Sequence, residues 1–268
     1  DNVKKIVKLL LATIAGLYLL ACLTLYFLQS NIIFLPEKLP ANFTYNFEAD
    51  FEELNFKTPD GPVLNGLLFK ADSTQGLVFY LHGNAGSLRT WGKSATDFTS
   101  KNYDVFMLDY RGFGKSEGEP QNETQMFADN QLAFDALKKR YPQNKIIIMG
   151  YSIGTGMAAQ LAAKNEAQQL ILLAPYYSLT AVMENSYPLV PTFLLKFPFK
   201  THQYLEQISI PVIIFHGLND GVLPFENSLR LKKEMPEKID LIPLENQGHG
   251  GLMAHPLFSK KLGQLLNT

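Results

Sequence analysis

Apolar positions along the chain fall into two regimes. The first is a single run, residues 9–28, LLLATIAGLYLLACLTLYFL, that carries no charge. A 20-residue helix rises about 30 Å, the hydrocarbon thickness of a bilayer. Lys4, Lys5 and Lys8 precede the run, and the next charge after it is Glu37. Positive residues favour the cytoplasmic side of a membrane. The pattern predicts an amino-terminal membrane anchor over residues 1–30, spanning at about 9–28. Its amino end would be cytoplasmic, and everything after it would lie on the outer side, whether periplasmic, lumenal or extracellular. A cleaved signal peptide competes, but its apolar core is normally 7–15 residues long and ends in a small-residue site, unlike Gln29-Ser30-Asn31. Lipidation of Cys22 competes too, although the run stays apolar beyond that residue.

The second regime is made of short apolar stretches separated by polar, helix-like ones. Residues 31–50, with Pro36 and Pro40, read as a connector. Residues 51–57 and 64–70 flank TPDGP and predict an antiparallel hairpin. Six later runs, at 76–83, 104–110, 145–152, 169–176, 211–217 and 239–245, are continuously apolar rather than alternating. Strands of that kind are buried on both faces, as in a parallel sheet covered by helices. Helices are expected at about 122–141, where Asn122 can cap the start, and at 153–165, 225–235 and 256–267. The fold class is α/β, with a mostly parallel central sheet and helices on both faces, preceded by one transmembrane helix. Residues 51–268 form one domain.

Composition narrows the function classes. Hydrophobic residues make up 46% of the chain and charged residues 18%, which excludes a disordered protein. Twenty-four basic residues against 25 acidic ones leave no excess to neutralise phosphates, so nucleic acid is not expected as a partner. A single cysteine excludes an intrachain disulfide and any multi-cysteine metal site.

Candidate chemistry begins at Gly150-Tyr151-Ser152-Ile153-Gly154. It follows a predicted strand and opens a predicted helix, the setting a G-x-S-x-G nucleophile elbow requires. Ser152 is the candidate nucleophile, at the carboxyl end of a central strand where open α/β sheets place ligands. A serine hydroxyl needs a base. Among five histidines, His249 lies in a glycine-flanked loop between the last strand and the last helix. Its acid would be Asp220, which follows the strand at 211–217 and keeps the order Ser, acid, His. Asp109 is the rival, but it precedes the nucleophile. His82 and His216 both stand in His-Gly pairs at strand ends, where turning the backbone is the expected role. Backbone N–H groups of Ile153 and of Asn84, in His82-Gly83-Asn84-Ala85-Gly86, are the candidate oxyanion hole.

These motifs together, HGNAG at 82–86, DYRGFGKSEGEP at 109–120, GYSIG at 150–154, HGLNDGVLP at 216–224 and GHGG at 248–251, resemble the α/β-hydrolase superfamily. Within it the chain is similar to the Bem46-like group, which includes the mammalian domain-containing proteins of types 13 and 17. Ser87 and Leu223 depart from that group's usual residues. The resemblance covers about 51–268 and implies two-step acyl transfer by Ser152, His249 and Asp220, without a metal or organic cofactor. It also implies a short cap insertion, here about 177–210. Phe193 and Phe197 in that cap, with Tyr151 beside the nucleophile, are candidate substrate contacts. The expected function is a membrane-anchored serine hydrolase of acyl esters or thioesters. Its substrate would be an acyl-bearing small molecule, a lipid or an acylated protein. A peptidase of the same fold and a non-catalytic binding protein are the alternatives, and the oligomeric state stays open.

Overall fold

The computed structural model describes residues 2–266. Eight strands form the main sheet: β1 (Phe51–Lys57), β2 (Val63–Phe69), β3 (Leu77–Leu81), β4 (Asp104–Leu108), β5 (Ile146–Tyr151), β6 (Gln169–Leu173), β7 (Val212–Gly217) and β8 (Ile239–Leu244). Their spatial order is β8-β7-β6-β5-β3-β4-β2-β1. β2 runs antiparallel to both β1 and β4, and every other pair is parallel. The expected hairpin and buried parallel strands are thus present. β3 to β7 are buried along their whole length.

Strand side chains alternate between two cores. Phe79, Phe106, Ile148 and Leu172 face one side, where α2 (Glu123–Leu137), α3 (Gly154–Lys164), α5 (Thr201–Gln207) and α6 (Glu226–Glu234) pack; α4 (Leu179–Ser186) lies in the cap. Val78, Tyr80, Met107 and Met149 face the other, with α7 (Pro256–Leu266) and short helical turns over residues 88–99. Those turns are four residues each and carry no helical apolar period, so the sequence pattern does not announce them. α2 opens where Asn122 Oδ1 accepts the N–H of Gln125 at 2.9 Å. It stops short of the expected 141, because Pro142 disfavours helix in the residue before it.

The helix α1 (Asn2–Ile33) is 32 residues long, about 48 Å, and its outer faces are exposed apolar side chains. It runs past the apolar stretch because residues 29–33 contain no helix breaker before Pro36. It is docked on the cap at its final turn and also within the expected span 9–28, where the Tyr18 hydroxyl donates to the Leu189 carbonyl at 2.9 Å, so that span does not stand wholly clear of the domain. The Gln29 amide donates to the Leu194 carbonyl at 3.0 Å and accepts the Lys196 N–H at 2.7 Å. The following segment is not a free connector: residues 35–36 pair in parallel with 85–86.

Candidate active site

Ser152 stands where β5 turns sharply into α3. Its φ is +52°, the left-handed region that an L-residue occupies only under constraint. Close packing supplies that constraint. A Cβ on Gly154 would lie 2.2 Å from the Leu81 carbonyl oxygen, and one on Gly150 would lie 2.6 Å from that of Gly154. The Ser152 N–H donates to the Leu173 carbonyl at 2.9 Å, and the Thr155 hydroxyl donates back to the Ser152 carbonyl at 2.6 Å. The turn is therefore fixed on both sides.

The loops after β7 and β8 bring Asp220 and His249 to this serine. His249 Nε2 is 2.9 Å from Ser152 Oγ, and Nδ1 is 2.7 Å from Asp220 Oδ2. A carboxylate only accepts, so the proton sits on Nδ1 and Nε2 presents a lone pair to the serine hydroxyl. The His249 carbonyl accepts from the Tyr151 hydroxyl at 2.5 Å, which ties the loop over the elbow. Burial pushes the Tyr151 phenol up to about 12, so it remains a donor at neutral pH.

Burial of Asp220 would by itself raise its carboxyl. Hydrogen bonds from His216, His249 and the N–H groups of Leu223 and Val222 outweigh it and hold the group well below the usual carboxylate range. Asp220 is thus an anion that the fold keeps. Its partner His216 is fully buried, with Nε2 3.2 Å from Asp220 Oδ2 and 2.8 Å from the Leu223 carbonyl. A carbonyl only accepts, so Nε2 carries the proton and Nδ1 takes the Ser228 hydroxyl at 2.6 Å. At the end of its strand His216 is expected only to turn the backbone; the structure makes it a donor to Asp220.

Asp109 lies elsewhere. It accepts the Leu88 N–H at 3.0 Å and faces His82 Nε2 at 3.6 Å, fully buried. The carbonyl of Gly83 is 2.7 Å from His82 Nδ1, which must donate to it. That contact orients the Gly83–Asn84 peptide. Among the described residues, neither the N–H of Asn84 nor that of Ile153 has a protein acceptor.

A cavity of about 570 Å³ opens beside Ser152 and His249. Its wall includes Tyr80, Asn84, Trp91, Tyr151 and Met253, together with two charged residues, Asp97 and Lys93. The Trp91 ring packs edge-on to Tyr151 at 5.4 Å. Tyr151 therefore reaches the cavity, but Phe193 and Phe197 do not line it. Phe197 is fully buried against Phe34, and Phe193 is exposed on the cap. An apolar run alone does not distinguish a core side chain from a groove side chain. Trp91, Met253 and Asp97 sit in short helical turns outside the motifs, where the sequence carries no mark of a cavity wall. Among the described residues no group of three His, Cys, Asp or Glu side chains is placed to hold a metal ion.

Comparison with known proteins agrees with this architecture. The profile of a family described as serine aminopeptidase, S33 (Hydrolase_4), matches residues 72–206. Human α/β hydrolase domain-containing protein 17B is 31% identical over 194 residues, 71% of this chain and 66% of that protein. The chain belongs to the α/β-hydrolase superfamily. Escherichia coli K12 protein YfhR is 26% identical to this hydrolase over 241 residues, covering 82% of this chain and 84% of the relative. A solved esterase of Pyrococcus furiosus shares the fold at a TM-score of 0.68 and 20% identity, over 88% of this chain and 97% of that one. The chain spans slightly under two thirds of the human protein's length. As an α/β-hydrolase, it carries its candidate chemistry at the carboxyl ends of β3, β5, β7 and β8, on one rim of the sheet.

Proposed function

We propose that this α/β-hydrolase is a membrane-anchored serine hydrolase that cleaves acyl esters or thioesters through an acyl-enzyme. The contact chain Ser152 Oγ to His249 Nε2, and His249 Nδ1 to Asp220, carries the reading. In it, His249 takes the serine proton as Oγ attacks the carbonyl, and Asp220 stabilises the imidazolium that forms. The N–H groups of Asn84 and Ile153 hold the oxyanion, with the amino end of α3 behind them. His249 then protonates the leaving group, and water repeats the cycle. The substrate is an acyl-bearing small molecule, a lipid or an acylated protein, met at the membrane. α1 supplies the anchor, with its lysine-flanked amino end cytoplasmic.

A fluorophosphonate probe tests the reaction. Labelling of the full chain that vanishes in Ser152→Ala is expected; no labelling of folded protein would instead indicate a binding role. Carbonate extraction tests the anchor, and the chain is expected to stay with the membrane pellet.

A second reading has one observation behind it. Asp97 is a carboxylate in the cavity wall, which suits the free amine of an aminoacyl substrate. Asp97→Asn would then depress hydrolysis of aminoacyl p-nitroanilides and leave simple esters unchanged. Under the acyl-ester reading, aminoacyl amides are not turned over at all.

A further inference from the structure

The segment that leaves α1 lies directly against the loop assigned to the oxyanion hole. The Leu35 N–H donates to the Asn84 carbonyl and the Glu37 N–H to the Gly86 carbonyl, both at 2.8 Å. The Asn84 side-chain amide donates to the Ile33 carbonyl at 3.0 Å. Glu37 accepts from the Ser87 hydroxyl at 2.7 Å and pairs with Arg89. On its other side the same segment is tied to the loop after β4. The Gly114 N–H donates to the Glu37 carbonyl, and the Leu39 N–H to the Gly114 carbonyl, each at 2.8 Å. Phe34, 2% exposed, pins the start of the segment between Phe113 and Phe197.

We propose that residues 33–39 are a strap that positions the oxyanion loop, so that the stem of the anchor is a working part of the hydrolytic site. The proposal rests on the reading of Asn84 as an oxyanion donor. An amide donor stabilises the tetrahedral oxygen only if it is held within about 0.5 Å and 10–20° of the productive geometry. The Gly83–Asn84 peptide is fixed on one side by His82. The peptide that follows, and the Asn84 side chain, are held by the strap, and the next carbonyl along, that of Ala85, accepts the Trp91 indole N–H at 2.8 Å. The loop has glycine at 83 and at 86, where φ is +84°, so its own backbone resists displacement poorly. Leu35, Glu37 and Asn84 are accordingly tied into one unit. Leu35 and Glu37 are positioning residues and touch no reacting atom.

The test uses the full chain in lipid nanodiscs. Leu35→Pro deletes the N–H that holds the Asn84 carbonyl. Leu35→Ala keeps it, and the side chain is 55% exposed, so this variant is the control. Loss of a whole oxyanion donor costs about 10²–10³ in kcat. A loosened donor is expected to cost about 10- to 100-fold, with KM unchanged within about twofold. Affinity for a trifluoromethyl ketone, whose hemiketal oxygen occupies the same hole, should fall by the same factor. Glu37→Ala is the second variant, should Leu35→Pro not fold. A smaller drop confined to kcat is expected there, with recovery in Glu37→Gln, which still accepts from Ser87. Variants that melt like the wild type and keep its kcat and ketone affinity would overturn the strap. A wild-type chain without Ser152-dependent turnover would overturn the assignment of the site itself, and the strap with it.

Discussion

Replacing Asp220 by Asn probes the proposed relay with almost no change in shape. One carboxylate oxygen accepts the N–H groups of Val222 and Leu223 at 2.9 and 2.8 Å, and the other faces His249 Nδ1 at 2.7 Å and His216 Nε2 at 3.2 Å. An asparagine must keep its carbonyl toward the two N–H donors. The flipped amide would set NH₂ against both and lose two hydrogen bonds, whereas the kept orientation gives up only the 3.2 Å contact with His216, whose Nε2–H retains the Leu223 carbonyl at 2.8 Å. The NH₂ group therefore points at His249 Nδ1, which then has to accept. The imidazole proton moves to Nε2, and no lone pair remains to take the serine proton. In the general Ser-His-Asp template the wrong tautomer costs about 10⁴ in kcat, or about 5.4 kcal/mol of barrier. Hydrolysis of a p-nitrophenyl ester by Asp220→Asn should fall by about that factor with KM little changed, since Asp220 is buried away from substrate. Stability gives an independent readout. Asp220 is held below its unfolded value of about 3.9, so its contribution is full at neutral pH and fades as pH falls through its folded pKa. The variant should melt below the wild type at pH 7, and the gap should close in acid. A folded Asn variant within tenfold of wild-type kcat would refute the relay.

Three further outcomes follow from the geometry. Gly217→Ala would place a Cβ 2.3 Å from the Gln247 carbonyl oxygen and push the His249 loop off the elbow; kcat and fluorophosphonate labelling should both drop at least tenfold in protein that still melts cooperatively. Arg111 is 4% exposed and forks onto the buried Asp129 at 2.7 and 2.9 Å. Arg111→Met strands that carboxylate and should cost about 3–5 kcal/mol by denaturant titration, partly restored in the double variant with Asp129→Leu. Burial raises the Asp109 carboxyl, opposed in part by His82 and the Leu88 N–H, so ionising it destabilises the fold as pH rises above about 4. The melting temperature of Asp109→Asn relative to wild type should therefore climb with pH from about 4 upward; a difference independent of pH would contradict the buried carboxyl.

Strands, helices and the meeting of Ser152, His249 and Asp220 were legible in the sequence because each leaves a local mark. A continuous apolar run marks a buried strand, and flanking glycines mark a backbone that must pass close to another. Other features leave no such mark. His216 reads as the end of a strand, and only its position over Asp220 makes it a donor. Phe197 and Phe193 share one apolar run, yet one is buried under Phe34 and the other faces outward. The strap reads as a proline-bearing linker. Its pairing partner lies about fifty residues away, and backbone hydrogen bonds carry no side-chain signature.

Topology explains why three residues so far apart meet at one point. β5, β6, β7 and β8 are parallel neighbours, so their carboxyl ends share a rim. Strands lie about 4.8 Å apart, which sets β7 about 10 Å and β8 about 14 Å from β5. Asp220 spans its gap with a short loop. His249 has further to come, and its loop must cross the end of β7 to arrive. That crossing is made by the Asn219 N–H donating to the Gln247 carbonyl at 2.9 Å and by the missing side chain at Gly217. The loop is then fastened to the elbow by Tyr151. Tyr151 immediately precedes Ser152, so the hydroxyl and the imidazole are referenced to the same turn of backbone. Any displacement of that turn carries both together, which preserves the 2.9 Å separation on which the proposed proton transfer depends.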